Sequence, residues 1–159
     1  MAYDFNADEI FEMAQQIERN GASFYRKAAE SVDDSAGKEL LLNFAEMEDA
    51  HEKIFAELRK DLSEKEKTAT TFDPEGEAEL YLRALADTRV FFEKKIDTSS
   101  MEKILREAII AEKDSIVFYL GMKEMVAEDL GKTKIDYIIK EEMSHIKLLS
   151  GRLIALKRQ

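Results

Sequence analysis

The sequence contains no cysteine. That excludes disulfides, thiolate catalysis, iron–sulfur clusters and a cysteine-type zinc site. Proline occurs once and glycine six times in 159 residues, so little in the chain interrupts a helix. No apolar run approaches the roughly 20 residues needed to cross a bilayer. The opening MAYDFNADEI has neither a basic nor an apolar leader segment. A cytoplasmic protein with no membrane partner is expected. Positive charge is also in deficit: 24 Lys and Arg face 34 Asp and Glu, for a net charge of -10. Such a chain repels phosphate backbones, so nucleic acid is not an expected partner. Histidine is scarcest of all among the potential metal ligands present, with only His51 and His145.

What remains is charge, at 36% of residues, laid out with helical periodicity. The length suits a single domain over residues 1–159. A first helix is expected from Asn6, paired with Glu9 in a capping box, to about Val32. DDSAG (33–37) makes a turn, and a second helix runs from about Ala36 to Lys65. TATTFDPEGE breaks the pattern. Asp73 before Pro74 reads as the start of a shorter helix over about 75–93. Ser99 with Glu102 reads as a second capping box, opening a third helix to about Leu130 with Gly131 as its C-cap. A fourth covers about 133–157. Two tight hairpins joined by a link of about 33 residues cannot be a simple up-down bundle. The expected fold is all-α: a ferritin-like four-helix bundle of two antiparallel hairpins, with a long crossover containing a short helix.

Bundle helices bury positions spaced alternately three and four apart. On the first helix that seam is Ala7, Phe11, Ala14, Glu18, Gly21, Tyr25 and Ala28. On the second it is Leu41, Phe44, Glu48, His51, Phe55, Leu58 and Leu62. On the third it is Met101, Leu105, Ala108, Glu112, Ser115, Tyr119, Met122 and Val126. On the fourth it is Ile135, Ile138, Glu142, His145, Leu149, Arg152 and Leu156. Each seam is apolar and each is interrupted by a glutamate. Arg152 also breaks the pattern, at an end where the bundle is expected to open to water.

The chain repeats itself. An offset of 94 carries Glu18 onto Glu112, Glu48 onto Glu142, His51 onto His145 and Phe24-Tyr25 onto Phe118-Tyr119. Glutamate is about one residue in seven, so both histidines having one three places before them is about a 2% coincidence. Four carboxylates in one core would each cost several kcal/mol of desolvation and would repel one another. No seam lysine or arginine stands at their level. Two divalent cations would balance them, with two neutral imidazoles as further ligands. Oxygen and nitrogen donors in this mixture suit iron or manganese. A lone Glu on two helices and Glu-x-x-His on the other two is the ligand pattern of di-iron and di-manganese carboxylate bundles.

IERNGASFYRKAAE, GKELLLNFAEMEDAHEKIFAEL, AIIAEKDSIVFY and KEEMSHIKLL, one from each long helix, resemble the rubrerythrin branch of the ferritin-like superfamily. YLRALADTRVFF in the crossover fits the same branch. The resemblance covers nearly the whole chain. It implies a carboxylate-bridged centre of two iron ions (manganese or zinc could take the same ligands) that reacts with hydrogen peroxide or dioxygen. The implied ligands are Glu18, Glu48, His51, Glu112, Glu142 and His145. Which carboxylates bridge, Glu48 and Glu112 or their partners, is left open. Two departures stand out. Typical rubrerythrins carry a four-cysteine rubredoxin domain that delivers electrons, so this chain would need a separate electron donor. They also carry an extra glutamate where this chain has Ser115, which brings the site closer to the symmetric ferritin type. The family implies a homodimer.

Around the centre, Tyr25 and Tyr119 follow Glu18 and Glu112 by seven residues. Each is expected to bond a ligand carboxylate from the opposite hairpin. Gly21 leaves room beside the centre or permits close helix packing. Glu141 competes with Glu142 as ligand, and the seam spacing favours Glu142. Glu46 and Glu52 read as solvated face. Three functions compete: an oxidoreductase of rubrerythrin type, a ferroxidase or iron-storage subunit, and a non-enzymatic metal-stabilised bundle.

Overall fold

The computed structural model describes residues 7–62, 80–82, 84, 97–126 and 131–159. Four long helices, α1 (Ala7–Glu30), α2 (Ser35–Lys60), α3 (Met101–Met125) and α4 (Lys132–Lys157), carry the described chain. No strand occurs among the described residues. α1 packs along α2, and α3 along α4; α1 then faces α3 and α2 faces α4. This is the expected ferritin-like all-α arrangement. Residues 80–82 and 84 of the crossover are helical. The rest of the expected 75–93 helix, its Asp73-Pro74 start and the Asn6 cap lie outside the described residues. No described helix is long and apolar enough to cross a membrane.

The helix ends differ from the sequence expectation for local reasons. α2 begins one residue early because Asp34 caps it, accepting from the Gly37 amide at 2.9 Å. It stops at Lys60 rather than Lys65, with Asp61 as its C-cap. α3 is capped by Ser100, whose Oγ accepts from the Lys103 amide, and not by Ser99. Ser99 instead donates its own amide to Asp97 at 3.0 Å, so an Asx turn has taken its place in the chain. α3 ends at Met125, with Val126 extended. Gly131 is therefore not a C-cap of α3. It precedes α4 in the left-handed region, φ 105°, where a side chain would be strained.

The seams are where the periodicity puts them. All the named α1 positions are buried except half-buried Gly21, and all the α2 positions are buried. Met101 and Ser115 on α3 are half-buried, as are Arg152 and Leu156 on α4. At that end an open cavity of about 560 Å³ lies among Val32, Ala36, Ile104, Arg152 and Leu156, and Arg152 reaches Asp34 at 3.5 Å. This is the water-facing bundle end expected for a seam arginine.

The apolar core forms two separate slabs. One gathers Phe11, Phe55, Phe118, Met122, Ile135 and Ile138, with Leu82 of the crossover. The other gathers Tyr25, Leu41, Phe44, Ile104, Leu105 and Leu149. Each fully buried Leu, Ile or Phe contributes about 1.5–3 kcal/mol. The slabs hold the four helices together from either side of a polar layer. Gly121 lets the crossover approach α3: a Cβ there would lie 2.4 Å from the Tyr81 ring. Tyr81 donates its hydroxyl to the Val117 carbonyl at 3.0 Å.

Candidate metal centre

The polar layer between the slabs is made of the six seam residues. α1 supplies Glu18, α2 supplies Glu48 and His51, α3 supplies Glu112, and α4 supplies Glu142 and His145. None is more than 5% exposed. The side chains converge because each sits at the same height on an inward face, with apolar residues on either side of the layer.

They form two overlapping groups of potential ligands: Glu18, Glu48, His51 and Glu142, then Glu48, Glu112, Glu142 and His145. Within each group one donor atom per residue lies within 4.8 Å of all the others. Glu48 and Glu142 belong to both groups, so a pair of ions there would share them. Glu18 and Glu112 belong to one group each, so each would serve a single ion. Of Glu48 and Glu112, only Glu48 is common to both groups.

Both histidines turn Nδ1 inward. His51 Nδ1 lies 3.0 Å from Glu142 and 3.5 Å from Glu18. His145 Nδ1 lies 2.8 Å from Glu142, 3.3 Å from Glu48 and 3.4 Å from Glu112. The two imidazoles stack at 5.6 Å with 15° between planes. Glu18 Oε2, Glu48 Oε1, Glu142 Oε2 and His145 Nδ1 are buried with no hydrogen bond. Buried polar atoms are normally satisfied, and here four orphans point at one small volume. A pair of cations would satisfy them together, so the donor set fits two metal ions.

Without cations, only protons can balance this charge. Burial pushes Glu18 up, with Glu142 repelling it. Burial pushes Glu48 well up, with Glu18 and Glu112 adding to the effect. Glu142 is raised to about 8 by burial and then by Glu48 and Glu112. Burial also pushes Glu112 up, but the adjacent His145 imidazole, the Glu142 carboxyl and the Tyr25 hydroxyl outweigh it and leave it below the usual range. Burial alone would lower both histidines. The close Glu142 and Glu18 carboxylates instead carry His51 to about 11, and those of Glu112, Glu142 and Glu48 carry His145 to about 12. Such perturbation is typical of functional sites.

Both tyrosines stand where the sequence placed them. Tyr119 donates to Glu18, and Tyr25 donates to Glu112, each across to the other hairpin's terminal carboxylate. Burial and the nearby carboxylates push both phenols well above their ordinary range, so they stay protonated donors. Phe44 stacks on Tyr25 at 5.1 Å and meets the His145 ring edge-on at 5.1 Å. Phe55 leans on Tyr119 at 5.2 Å.

Gly21 makes room for a ligand: a Cβ there would lie 2.9 Å from Glu48 Oε2. Ser115, the family's extra-carboxylate position, turns its hydroxyl back to the Ala111 carbonyl at 3.0 Å. Glu141 is not a member of either ligand group, and Glu142 is. Glu141 instead stands 3.7 Å from the outer nitrogen of His51. Glu46 is exposed as expected. Glu52 is not simply solvated: it accepts from Gln15 and Arg19, both at 2.9 Å.

The fold and the donor set define a class, the ferritin-like bundle with a two-metal carboxylate centre. The family model described as Rubrerythrin matches residues 9–152, and the chain belongs to that family. A crystal structure from Thermotoga maritima, of a protein provisionally assigned as ferritin-like and diiron-carboxylate, is similar in fold. It is 21% identical with a TM-score of 0.70, over 96% of this chain and 97% of that one. No curated protein matches the sequence.

Proposed function

We propose that the protein is a di-iron oxidoreductase that reduces hydrogen peroxide or dioxygen with electrons from a separate donor. The observation that carries this reading is the six-residue cluster itself, closed between two apolar slabs with four inward-facing orphan atoms. Glu18 and His51 would hold one ion, Glu112 and His145 the other, and Glu48 and Glu142 would span both. The bound pair would supply two electrons and Lewis acidity. The protein's own residues do the rest. Tyr119 and Tyr25 fix the terminal carboxylates by donating to them, and their phenols remain protonated. The slabs exclude water, which strengthens every charge interaction inside. Reduction of peroxide to two waters takes two electrons and two protons, so the donor must return two electrons per turnover. With no cysteine in the chain, no rubredoxin-type site here can do so. We place the protein in the cytoplasm. As the family implies, we take it to be a homodimer, and exposed Ile110, Leu120, Met143 and Ile154 on α3 and α4 support that reading.

The test is stopped-flow mixing of the anaerobic, ferrous-loaded protein with peroxide. Oxidation faster than that of free ferrous ion is expected. A rate no faster would end this reading.

A ferroxidase or storage role is the second reading, favoured by Ser115 and the near-symmetric ligand set. Light scattering decides it, since a dimer rules out a cage built by this chain alone. A non-enzymatic, metal-stabilised bundle would instead lose stability when its metal is stripped, yet react with peroxide no faster than free ferrous ion.

A further inference from the structure

The two histidines are alike on their inner sides and differ on their outer sides. Each presents Nδ1 to the carboxylates and turns Nε2 away. His51 Nε2 faces the Glu141 carboxylate at 3.7 Å. His145 Nε2 is buried with no hydrogen bond, on a ring that Phe44 meets edge-on. The 94-residue repeat places Met47 where α4 has Glu141. Met47 is half-buried against the apolar slab, and its thioether is at best a weak acceptor.

As placed, His51 Nε2 makes no hydrogen bond either. The Glu141 side chain is 38% exposed, however, so torsions at its free end can close the gap without moving the core. An imidazole that ligates through Nδ1 carries its proton on Nε2. A carboxylate that accepts this proton fixes the tautomer and ring orientation and raises ligand basicity. His51 has such a carboxylate within reach. The same proton on His145 is buried without an acceptor, which is costly.

We propose that Glu141 is a positioning residue for His51 and makes the two metal positions unequal. The Glu18–His51 position takes a divalent cation ahead of the Glu112–His145 position. This rests on reading the cluster as a metal centre, and is independent of the peroxide chemistry.

The test is calorimetric titration of metal-stripped protein with cobalt(II), with the visible cobalt spectrum as a second readout. Wild type is expected to bind two ions in steps separated by about 10–100-fold in Kd. Glu18→Gln should remove the tight step and Glu112→Gln the weak one. Glu141→Met should weaken the tight step by about 10–100-fold and spare the weak one, with the melting temperature of the stripped protein unchanged. Glu141→Gln, which keeps an acceptor, should recover part of the loss, and Met47→Glu should tighten the weak step. A wild-type isotherm in Glu141→Met, or a loss shared equally by both steps, would overturn the proposal. Two equal steps in wild type would overturn it while leaving the metal centre standing. No binding at all would overturn both.

Discussion

At the scale of single residues, the centre is a set of side chains that would be errors in an ordinary core. Glu18 stands between Ala14 and Gly21 on its seam, and Glu112 between Ala108 and Ser115. Nothing apolar gains from their burial, so their cost must be offset by what they hold. Glu112→Ala is expected to lower bound metal from two ions per chain to about one, by elemental analysis. Gly21→Ala separates stability from binding. Alanine improves helix propensity by about 1 kcal/mol, and the stripped protein can accept it, because the atom met at 2.9 Å is the free end of Glu48. A Glu48 that held two cations could not move aside so freely. Urea denaturation should therefore show the stripped variant as stable as wild type or up to about 1 kcal/mol more so, while its metal affinity falls. The six converging side chains were legible from seam spacing, because a polar residue at a buried position is conspicuous in a pattern. The bridging pair was not, because spacing gives height and face but not which carboxylate reaches past the midline. The contacts of Glu141, named only as a competitor of Glu142, and of Glu52, read as solvated, escaped for a related reason. Both lie off the seam, and only their long side chains bring them to His51 and to Gln15 and Arg19.

At the scale of helices, the hairpins were readable and their ends were not. Apolar periodicity extends over many residues, whereas a cap depends on one side chain winning a local competition for one amide. At the start of α3, Asp97 holds the Ser99 amide and leaves Ser100 to cap. Ser100→Ala is thus expected to cost about 1 kcal/mol in denaturant unfolding, and Ser99→Ala only a few tenths. Equal costs would contradict the cap assignment. The α1–α2 hairpin is also clamped on its outside. Arg59 donates to both oxygens of Asp8, at 2.7 and 2.9 Å. Both side chains are 29% exposed, so solvent screens the pair and its worth is about 1 kcal/mol at most. Duties are separated in this element: surface pairs trim the hairpin and the slabs hold it, while the polar layer adds buried charge that the slabs must accommodate.

At the scale of the molecule, the buried charge ties stability to pH. His51 and His145 are held near 11 and 12, above their ordinary 6.5, and Glu142 near 8, above its ordinary 4.5. Between each ordinary and each raised value the folded chain holds a proton that the unfolded chain has released. Stability must then fall as pH rises. The Glu142 contribution is lost from about pH 4.5 to 8 and the histidine contributions from about pH 6.5 upward. Glu112 is lowered, so it acts in the opposite direction, but only below its ordinary 4.5. Metal-stripped protein is therefore expected to melt at progressively lower temperature as pH rises from 5 to 8. Metal-saturated protein, with cations in place of those protons, should lose that decline. A flat profile for the stripped protein would mean that the carboxylates find some other balance.

The most direct measurement is the number of ferrous ions that one stripped chain binds at saturation under anaerobic conditions, counted by titration and confirmed by elemental analysis. Two ions per chain are expected, falling when Glu48 or Glu142, the residues common to both positions, is replaced by alanine. A chain that binds none, or that binds two with those glutamates gone, would contradict the two-metal centre.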